Sequence, residues 1–302
     1  MARFGSVITA MVTPFGPTGA LDLDAAAQLA RHLVDTGSDG LVLAGSTGEG
    51  SVLADDEKLD LFRAVTEAVT VPVLAATGSN DTAHTVGLTR AAQACGVAGV
   101  LVVTPYYSRP SPAGLAAHFE AAAAASDLPV VLYDIPVRSG RRIGTDLLVH
   151  LGRTVPTIVG VKDATGDVAG AAEVIAAEVD GFEVYCGDDP LTLPFLSVGG
   201  VGIISVAAHW AGSVFAELIA TFEAGDTVGA RGANQRLLES FRFESTPEYP
   251  NPVPAKAACR ALGLPVGQCR LPHPEAPASL DSEAKAIISR LRQPVSVGHS
   301  VA

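Results

Sequence analysis

The sequence predicts an α/β protein that folds as a (β/α)8 TIM barrel with a C-terminal helical extension. Eight short β-like runs alternate with eight Ala-rich helical runs as far as residue 224. The β-like runs are almost continuously apolar, which is typical of parallel strands covered on both faces. After the first run comes Thr13-Pro14-Phe15-Gly16-Pro17, which is not the Gly-rich dinucleotide turn of an open Rossmann sheet.

The predicted strands and helices can be assigned to definite residue ranges. The β-like runs lie at 7–12, 39–45, 71–77, 99–104, 129–133, 157–162, 183–186 and 201–206. The helical runs lie between and after them, at 24–36, 55–69, 81–95, 113–126, 145–152, 167–179, 190–198 and 210–223. Because a helix forms each connection, consecutive strands are expected to pair in parallel, and the count of eight favours a closed barrel.

Capping residues support the predicted helix starts. Side chains of Asp, Asn, Ser and Thr accept hydrogen bonds from the free N–H groups of a first helical turn. Such residues precede or open several of the helical runs: Asp22 or Asp24, Asp55, Asn80-Asp81, Ser111, Thr145 and Asp167. Ser111 is followed by Pro112, which suits the first helical position.

Beyond about residue 224 the alternation ends. We therefore divide the chain into a catalytic barrel at 1–224 and a C-terminal helical region at 225–302. Within the second region, helical patterns lie at 226–243, 254–262 and 280–292. The stretch 246–254 is too rich in proline for regular structure. We expect roughly the last ten residues to be frayed.

Composition limits the partners and the location of the protein. The net charge of −12 at pH 7 argues against nucleic acid or an anionic membrane as a partner. No apolar stretch approaches the ~20 residues of a membrane span, and the N-terminus lacks the pattern of a secretory signal. We therefore expect a cytoplasmic protein. The cysteines match no metal-binding spacing, so we predict free thiols, no metal and no cofactor: Cys95, Cys186, Cys259 and Cys269.

Lys162 is the most informative residue of the chain. It ends the run at 157–162, which otherwise has the pattern of a buried strand. A buried ammonium is poorly solvated, so a buried amine loses its proton more readily and can attack a carbonyl as a nucleophile. The alternative is a lysine that reaches solvent from the end of the strand or pairs with Asp163.

Other polar residues follow the predicted strands at the same edge, where the active sites of such barrels lie. Strand two ends in a turn with Ser46 and Thr47, and strand five ends near Tyr133 and Arg138. The turn can bind a carboxylate, Tyr133 can exchange protons with Lys162, and Arg138 can clamp a second carboxylate. The plainer alternatives are an ordinary Ser/Thr turn, a core tyrosine and a surface ion pair.

Three motifs, in this order and spacing, resemble a known family. They are Gly-Ser-Thr-Gly-Glu at 45–49, Tyr-Asp-Ile-Pro at 133–136 and Val-Lys-Asp-Ala-Thr-Gly at 161–166. The chain resembles the dihydrodipicolinate synthase / N-acetylneuraminate lyase superfamily of class I, Schiff-base aldolases over nearly its whole length. Within that superfamily, the segment 106–110, Arg138 and the segment 251–256 resemble the synthase branch.

The resemblance implies a catalytic group of four residues. Lys162 would form the Schiff base with the C2 carbonyl of pyruvate, and Tyr133 would be the acid/base group. Ser46 and Tyr107 would complete a hydroxyl relay to solvent, with Tyr107 reaching across a dimer interface into the neighbouring site. A homodimer or homotetramer is therefore expected.

The resemblance also implies how the substrates bind. Thr47, with the amides of its turn, and the backbone at Ile204 would hold the pyruvate carboxylate, while Gly187 would line the site. Arg138 would receive the carboxylate of L-aspartate 4-semialdehyde. Condensation of these two substrates would give 4-hydroxy-tetrahydrodipicolinate, an intermediate of lysine and diaminopimelate biosynthesis.

The chain departs from the family pattern at three places. Ser46 stands where the synthases usually have threonine and where sialic-acid lyases commonly have serine, and Asp134 replaces the commoner asparagine. In the cleft where lysine-inhibited members carry histidines and a glutamate, this chain has Asp55, Lys58 and His84. A cationic Lys58 would repel a lysine effector, so we predict weak or absent feedback inhibition by lysine.

Two other functions are compatible with these residues. Lys162 and Tyr133 would equally serve a lyase or aldolase acting on sialic acid or 2-keto-3-deoxy sugar acids, because the fold and the imine chemistry are common to the superfamily. A non-catalytic barrel that binds a keto acid is the alternative of another class. The joint presence of the lysine, the tyrosine and the turn speaks against it.

Overall fold

Within residues 2–291, the part of the chain that the computed structural model describes, eight parallel strands close into a barrel. In chain order they are β1 (Val7–Ala10), β2 (Gly40–Leu43), β3 (Val73–Ala76), β4 (Gly99–Val103), β5 (Val130–Asp134), β6 (Ile158–Asp163), β7 (Glu183–Cys186) and β8 (Gly202–Ser205). Each strand pairs with the next, and β8 returns to β1. The predicted (β/α)8 barrel is confirmed.

Helices surround the barrel and extend it at the C-terminal end. The surrounding helices are α1 (Leu23–Asp35), α2 (Asp55–Ala68), α3 (Thr82–Gln93), α4 (Pro112–Ala123), α5 (Pro136–Ser139), α6 (Thr145–Thr154), α7 (Val168–Ala176), α8 (Thr192–Ser197) and α9 (Ala208–Glu223). The extension consists of α10 (Thr227–Phe243), α11 (Val253–Ala261) and α12 (Ala278–Leu291). The sequence does not predict α5, because four residues are too few to show a helical period.

The predicted caps explain where several helices begin. The side chains that accept an N–H group of the first turn are Asp22 for α1, Asp81 for α3, Ser111 for α4 and Asp167 for α7. Each such cap stabilises its helix by about 1 kcal/mol. Asp55 is the first residue of α2, where the Glu57 carboxylate accepts the N–H of Ala54 instead.

Apolar side chains form one layer inside the barrel and another between the barrel and the helices. The inner layer consists of Phe4, Ile8, Ala10, Val42, Leu74, Leu101, Val131, Tyr133, Ile135, Val159, Tyr185 and Ile204. The outer layer combines alternate strand residues, such as Leu132 and Val161, with helix residues such as Phe119. The strands are apolar on both faces because both faces are covered, which explains their continuous apolar runs.

The C-terminal helices pack onto the barrel and onto one another. The indole N–H of Trp210 in α9 donates a hydrogen bond to Oγ of Ser240 in α10 at 2.9 Å. The Trp210 ring also contacts Phe243 edge-on. Arg260 of α11 forms an ion pair with Asp281 of α12 through two guanidinium nitrogens. These contacts join α10 to α9 and α12 to α11.

The three helices correspond to the segments predicted at 226–243, 254–262 and 280–292. Residue 292 and the tail that we expect to be frayed lie outside the described residues. The division into a barrel at 1–224 and an extension at 225–302 stays an interpretation, because α10–α12 contribute to the same outer apolar layer. In the described part of the chain, no helix is both long enough and apolar enough to cross a membrane.

Candidate active site

Lys162 and Tyr133 lie side by side inside the barrel, at the C-terminal ends of β6 and β5. They are register partners across the two strands, and Nζ of Lys162 lies 4.5 Å from the centre of the Tyr133 ring. Both residues are almost fully shielded, with exposed fractions of 5% and 6%. The expected proximity of the two residues is confirmed. A phenol next to an amine can exchange a proton with a molecule bound to that amine.

A register shift in β6 turns the Lys162 side chain into the barrel. The pairing with β5 slips by one residue after Ile158, so that Val159 has no partner in β5. Val159 and Lys162 therefore both face the interior, although strict alternation would place them on opposite faces of the strand. Gly160 fits the crowded backbone at the shift, because a Cβ there would lie 2.3 Å from the carbonyl oxygen of Glu183.

The turn after β2 has a closely packed backbone. The N–H of Glu49 donates to the carbonyl oxygen of Ser46 at 3.2 Å, and that of Gly50 donates to Gly45 at 3.0 Å. A Cβ on Gly50 would lie 1.9 Å from a backbone carbonyl oxygen, so this position requires glycine. Glu49 itself has a left-handed φ of 55°. Of the two hydroxyl residues of this turn, Ser46 is partly buried and Thr47 is almost fully buried.

Asn251 connects this turn to the C-terminal region. Its Nδ2 donates a hydrogen bond to Oγ1 of Thr47 at 2.9 Å, and its backbone oxygen accepts one from Nη2 of Arg138 at 3.5 Å. Because Oγ1 of Thr47 accepts this bond, its own hydrogen is free to donate to a bound carboxylate. Sequence reasoning missed Asn251 as a site residue, since the proline-rich stretch 246–254 indicates only irregular structure.

A cavity of about 440 Å³ opens at the C-terminal end of the barrel. Ser46, Tyr133 and Arg138 line it, and Arg138 reaches it from α5, the short helix after β5. The volume is in the range of small-molecule sites. A guanidinium group at the mouth offers a planar, permanently charged fork that matches a carboxylate.

Gly187 and Ile204 have no polar side-chain atoms, so their side chains affect only the space available in the site. A Cβ on Gly187 would lie 3.0 Å from Cε of Lys162, so glycine leaves room for the lysine chain. Ile204 of β8 belongs to the inner apolar layer together with Tyr133. Any hydrogen bond from these two positions to a substrate would come from the backbone.

Tyr107 does not join the site within one chain. Its side chain is 92% exposed and does not line the cavity, whereas Tyr106 does. The backbone of Tyr107 has a φ of 70°, a strained conformation for a bulky residue. The relay role that the resemblance implies for Tyr107 would need a second chain and stays a prediction.

Two buried carboxyl groups lie at the ends of β5 and β6, next in sequence to Tyr133 and Lys162. Asp134 and Asp163 are register partners. Burial raises the pKa of Asp134 to about 6; the N–H of Ile143 opposes this shift, and the charge of Asp163 adds to it. Burial also raises the pKa of Asp163. Asp134 therefore gains a proton at mildly acidic pH.

The cavity extends towards α2 and α3, where Asp55, Lys58 and His84 lie together. Oδ1 of Asp55 is 3.4 Å from Nζ of Lys58, and its Oδ2 is 2.7 Å from Nε2 of His84. Lys58 is buried against this wall. The Asp55 carboxylate is thus already paired with two basic groups.

Metal ligands and thiols do not cluster in the described residues. Between residues 2 and 291, no group of three or more His, Cys, Asp and Glu side chains is placed to hold a metal ion. The cysteines are free; Cys95, Cys186 and Cys259 are buried, and Cys269 is half-buried. The absence of a metal and of a cofactor in the working protein stays a prediction.

An amine next to a phenol inside a barrel mouth can form an imine with a keto acid and move protons to and from the adduct. This chemistry and the (β/α)8 fold define the class of Schiff-base aldolases. Comparison with known proteins then identifies the family. Residues 3–291 match the Dihydrodipicolinate synthetase family, and the chain belongs to that family.

Individual relatives match over almost the whole chain. The 4-hydroxy-tetrahydrodipicolinate synthase of Moorella thermoacetica is 47% identical over 272 residues, which cover 89% of this chain and 92% of the relative. The crystal structure of dihydrodipicolinate synthase from Bacillus anthracis has a TM-score of 0.91 at 40% identity, covering 96% of this chain and 99% of that one. The DHDPS of Cyanidioschyzon merolae with lysine bound has a TM-score of 0.92 at 39% identity, with the same coverage.

The structure thus brings most of the predicted site residues together. Ser46, Tyr133 and Arg138 line the cavity. Lys162 contacts the Tyr133 ring, Gly187 lies beside the Lys162 side chain, and Thr47 directly follows Ser46. Ile204 lies in the barrel interior, and Tyr107 lies outside the site of its own chain. Their roles in binding and catalysis are proposals, to which Asn251 is now added.

Proposed function

We propose that this chain condenses pyruvate with L-aspartate 4-semialdehyde to give 4-hydroxy-tetrahydrodipicolinate, a step of lysine and diaminopimelate biosynthesis. The observation that carries the proposal is the shielded contact between Lys162 and Tyr133 at the barrel mouth. Membership of the dihydrodipicolinate synthetase family supports it, and so does the 47% identity to the M. thermoacetica synthase.

Lys162 begins the reaction as the nucleophile. Its neutral amine adds to the C2 carbonyl carbon of pyruvate, and loss of water leaves a protonated imine. The imine withdraws electrons from the adjacent methyl group, which then loses a proton to give an enamine. The Tyr133 ring lies beside Nζ, and its phenol is the acid/base group for these proton transfers in this proposal.

The enamine forms the new carbon–carbon bond. Its terminal carbon attacks the aldehyde carbon of L-aspartate 4-semialdehyde, and the aldehyde oxygen gains a proton to become a hydroxyl group. The amino group of the second substrate then adds to the imine carbon and closes the ring. Lys162 leaves as a free amine, and the water released during imine formation balances the reaction.

The two substrate carboxylates have different partners in this proposal. The turn amides, the hydroxyl of Thr47 and the backbone at Ile204 hold the carboxylate of pyruvate. Arg138, which stands at the cavity wall, receives the carboxylate of the aldehyde substrate. Gly187 leaves the space that the lysine chain needs when it carries the adduct.

Ser46 and Tyr107 relay protons between Tyr133 and solvent in this proposal. Ser46 lines the cavity with Tyr133, whereas Tyr107 is exposed on its own chain and would act in the site of a second copy. The working unit is then at least a homodimer, and the resemblance implies a homotetramer. The partners are the two substrates and further copies of the chain, without nucleic acid or membrane; the cytoplasmic location stays a prediction.

One observation favours a different substrate. Ser46 is the residue that sialic-acid lyases commonly carry in the turn, and Lys162 and Tyr133 would serve a lyase or a 2-keto-3-deoxy sugar acid aldolase equally well. The matched family and the named relatives favour the synthase reaction over both. The non-catalytic barrel is not favoured either.

A comparison of substrates tests the proposal. The purified chain is assayed with pyruvate and L-aspartate 4-semialdehyde, with sialic acid, and with pyruvate and a sugar-acid aldehyde. We expect kcat/KM for the semialdehyde to exceed the others by about 100-fold or more. The variant Arg138→Lys keeps the positive charge but loses the planar guanidinium group, which can bind a carboxylate through two nitrogens. The KM for the semialdehyde should therefore rise, whereas the KM for pyruvate should not. Faster turnover of sialic acid or the sugar-acid aldehyde would overturn the proposal.

A further inference from the structure

A buried ion pair lies next to the turn that carries Ser46 and Thr47. Glu49 of the same turn places its Oε1 2.7 Å from Nζ of Lys256 on α11. Both side chains are almost completely shielded, with exposed fractions of 1% and 0%. The other carboxylate oxygen of Glu49 accepts the backbone N–H of Arg270 at 2.8 Å. Both oxygens of Glu49 are therefore held by the C-terminal region.

Lys256 ties the turn to two further segments. Its Nζ donates to the carbonyl oxygen of Gln268 at 2.9 Å and lies 4.1 Å from the ring centre of Phe15, in the loop after β1. The guanidinium of Arg270 lies 4.2 Å from the same ring. The loop after β1, the turn after β2 and the C-terminal region thus meet at one buried pair of charges.

Fold stability alone gives little reason to keep two charges at this depth. Removing them from water costs free energy, and replacing such a pair by apolar side chains of similar volume is often neutral or stabilising. An apolar contact, however, is not directional, whereas a hydrogen bond has a preferred geometry. Glu49, which carries the paired carboxylate, has a φ of 55° in a sparsely populated region.

The C-terminal region also contacts this turn at a second point. Asn251 donates to the hydroxyl oxygen of Thr47 at 2.9 Å. Between Thr47 and Glu49, the carbonyl oxygen of Gly48 accepts the hydroxyl of Thr13 at 2.6 Å. Three consecutive residues of the turn are thus anchored from outside it, and the pair at Glu49 is the only one of the three anchors that is an ion pair.

We infer that Glu49 and Lys256 are positioning residues, whose ion pair holds the turn so that Ser46 and Thr47 meet the carboxylate of pyruvate. The inference rests on the proposed function, because it assumes that pyruvate binds at this turn. Both residues act through the turn rather than on the reacting atoms. Loss of the pair therefore weakens pyruvate binding even where the fold regains its stability.

Two single variants and their combination separate positioning from stability. Glu49→Gln and Lys256→Met each leave one buried charge without its partner, so both should lower Tm. The double variant Glu49→Gln/Lys256→Met contains neither charge, so its Tm should return most of the way to that of the wild type. If the pair positions the turn, the pyruvate concentration for half-maximal borohydride trapping at Lys162 stays about tenfold above that of the wild type in the double variant.

Arg260 and Asp281 provide the matched control. This ion pair joins α11 to α12, and Arg260 lies one helical turn beyond Lys256 on the same helix. The control variant Arg260→Met/Asp281→Asn removes two charges from the same region. The pyruvate concentration for half-maximal trapping in this variant should stay within about twofold of the wild-type value. Within residues 2–291, neither Arg260 nor Asp281 forms a hydrogen bond with the turn after β2.

The outcomes are distinguishable. If the double variant reaches half-maximal trapping at the same pyruvate concentration as the wild type, the inference is contradicted but the proposed function is not. The same holds if that concentration rises equally in the control variant. A wild type that pyruvate does not trap contradicts the proposed function and the inference with it. If the double variant does not fold, the single variant Glu49→Gln is used, because glutamine keeps the shape of the side chain and an oxygen for the N–H of Arg270. A pyruvate concentration for half-maximal trapping about tenfold above that of the wild type supports the inference, and an unchanged concentration contradicts it.

Discussion

Lys162 faces Tyr133 because the pairing of β6 with β5 slips by one residue at Val159. Without this shift, the alternation of side chains along the strand would point Lys162 towards the outer helices and away from the cavity. The contact proposed to carry catalysis therefore depends on a backbone irregularity earlier in the same strand. Gly160, which directly follows Val159, allows β7 to pack closely against the shift.

Gly160→Ala tests this dependence. The new Cβ would lie 2.3 Å from the carbonyl oxygen of Glu183, so the strand must move. We expect the free energy of unfolding, measured with urea, to fall by about 2–3 kcal/mol, and borohydride trapping of pyruvate to weaken. In α3, Gly87 has open space around it, so Gly87→Ala should be neutral or stabilise by up to about 1 kcal/mol. Unchanged trapping in a folded Gly160→Ala protein would contradict the account.

Asp134→Asn should change the pH dependence of stability. Because the pKa of Asp134 rises from 3.8 to about 6 on folding, the folded state binds the proton more tightly than the unfolded state does. The resulting stability is complete below about pH 4 and is lost as the pH rises to about 6. Asparagine stays neutral and keeps an oxygen for the N–H of Ile143.

Urea unfolding at several pH values measures this effect. Above pH 6, Asp134→Asn should exceed the wild type by up to about 3 kcal/mol in free energy of unfolding, and the advantage should vanish near pH 4. Asp146 is exposed at the start of α6, so Asp146→Asn should show no comparable trend. An Asp134→Asn protein that is equally or less stable than the wild type at pH 7.5 would disprove the assigned cause.

Tyr107→Phe should leave the fold intact and slow the reaction. The side chain is exposed on its own chain, so removing its hydroxyl costs little stability. If that hydroxyl relays protons in a neighbouring site, kcat should fall by about 100-fold, in the range expected for a positioned proton-transfer group. Steady-state kinetics and sedimentation velocity check both parts. Unchanged turnover would refute the relay role.

L-Lysine should inhibit the enzyme weakly or not at all. The cleft between α2 and α3 contains the basic side chain of Lys58. The carboxylate of Asp55 in the same cleft already pairs with Lys58 and His84, so it is not free to bind the amino groups of an L-lysine effector. A DHDPS from C. merolae has been crystallised with lysine bound, so a lysine site exists in a protein of the same fold. Initial rates against L-lysine decide. Inhibition below about 1 mM, a binding free energy of roughly −4 kcal/mol, would contradict the prediction.

The barrel could be predicted from the sequence because its strands and helices alternate locally. Apolar runs at 99–104 and 183–186 mark strands within one residue of their observed ends. Lys162 could be singled out for the same reason, as a charge at the end of such a run. These signals are short-range, and each is contained in a few consecutive residues.

The remaining features depend on contacts that no local pattern contains. Glu49 and Lys256, or Thr47 and Asn251, are about two hundred residues apart in sequence and meet only in the closed barrel. The direction of Lys162 depends on a register shift that simple alternation does not predict. Tyr107 can be assigned to a site only when a second copy of the chain is considered.

Borohydride trapping of pyruvate tests the central claim most directly. The wild-type chain is incubated with pyruvate, reduced, digested and mapped by mass spectrometry, alongside Lys162→Met and an untreated sample. The account predicts a reduced pyruvate adduct on Lys162 in the wild type and none on the other lysines, Lys58, Lys256 and Lys285. An unmodified Lys162, or an equal adduct in Lys162→Met, would contradict it.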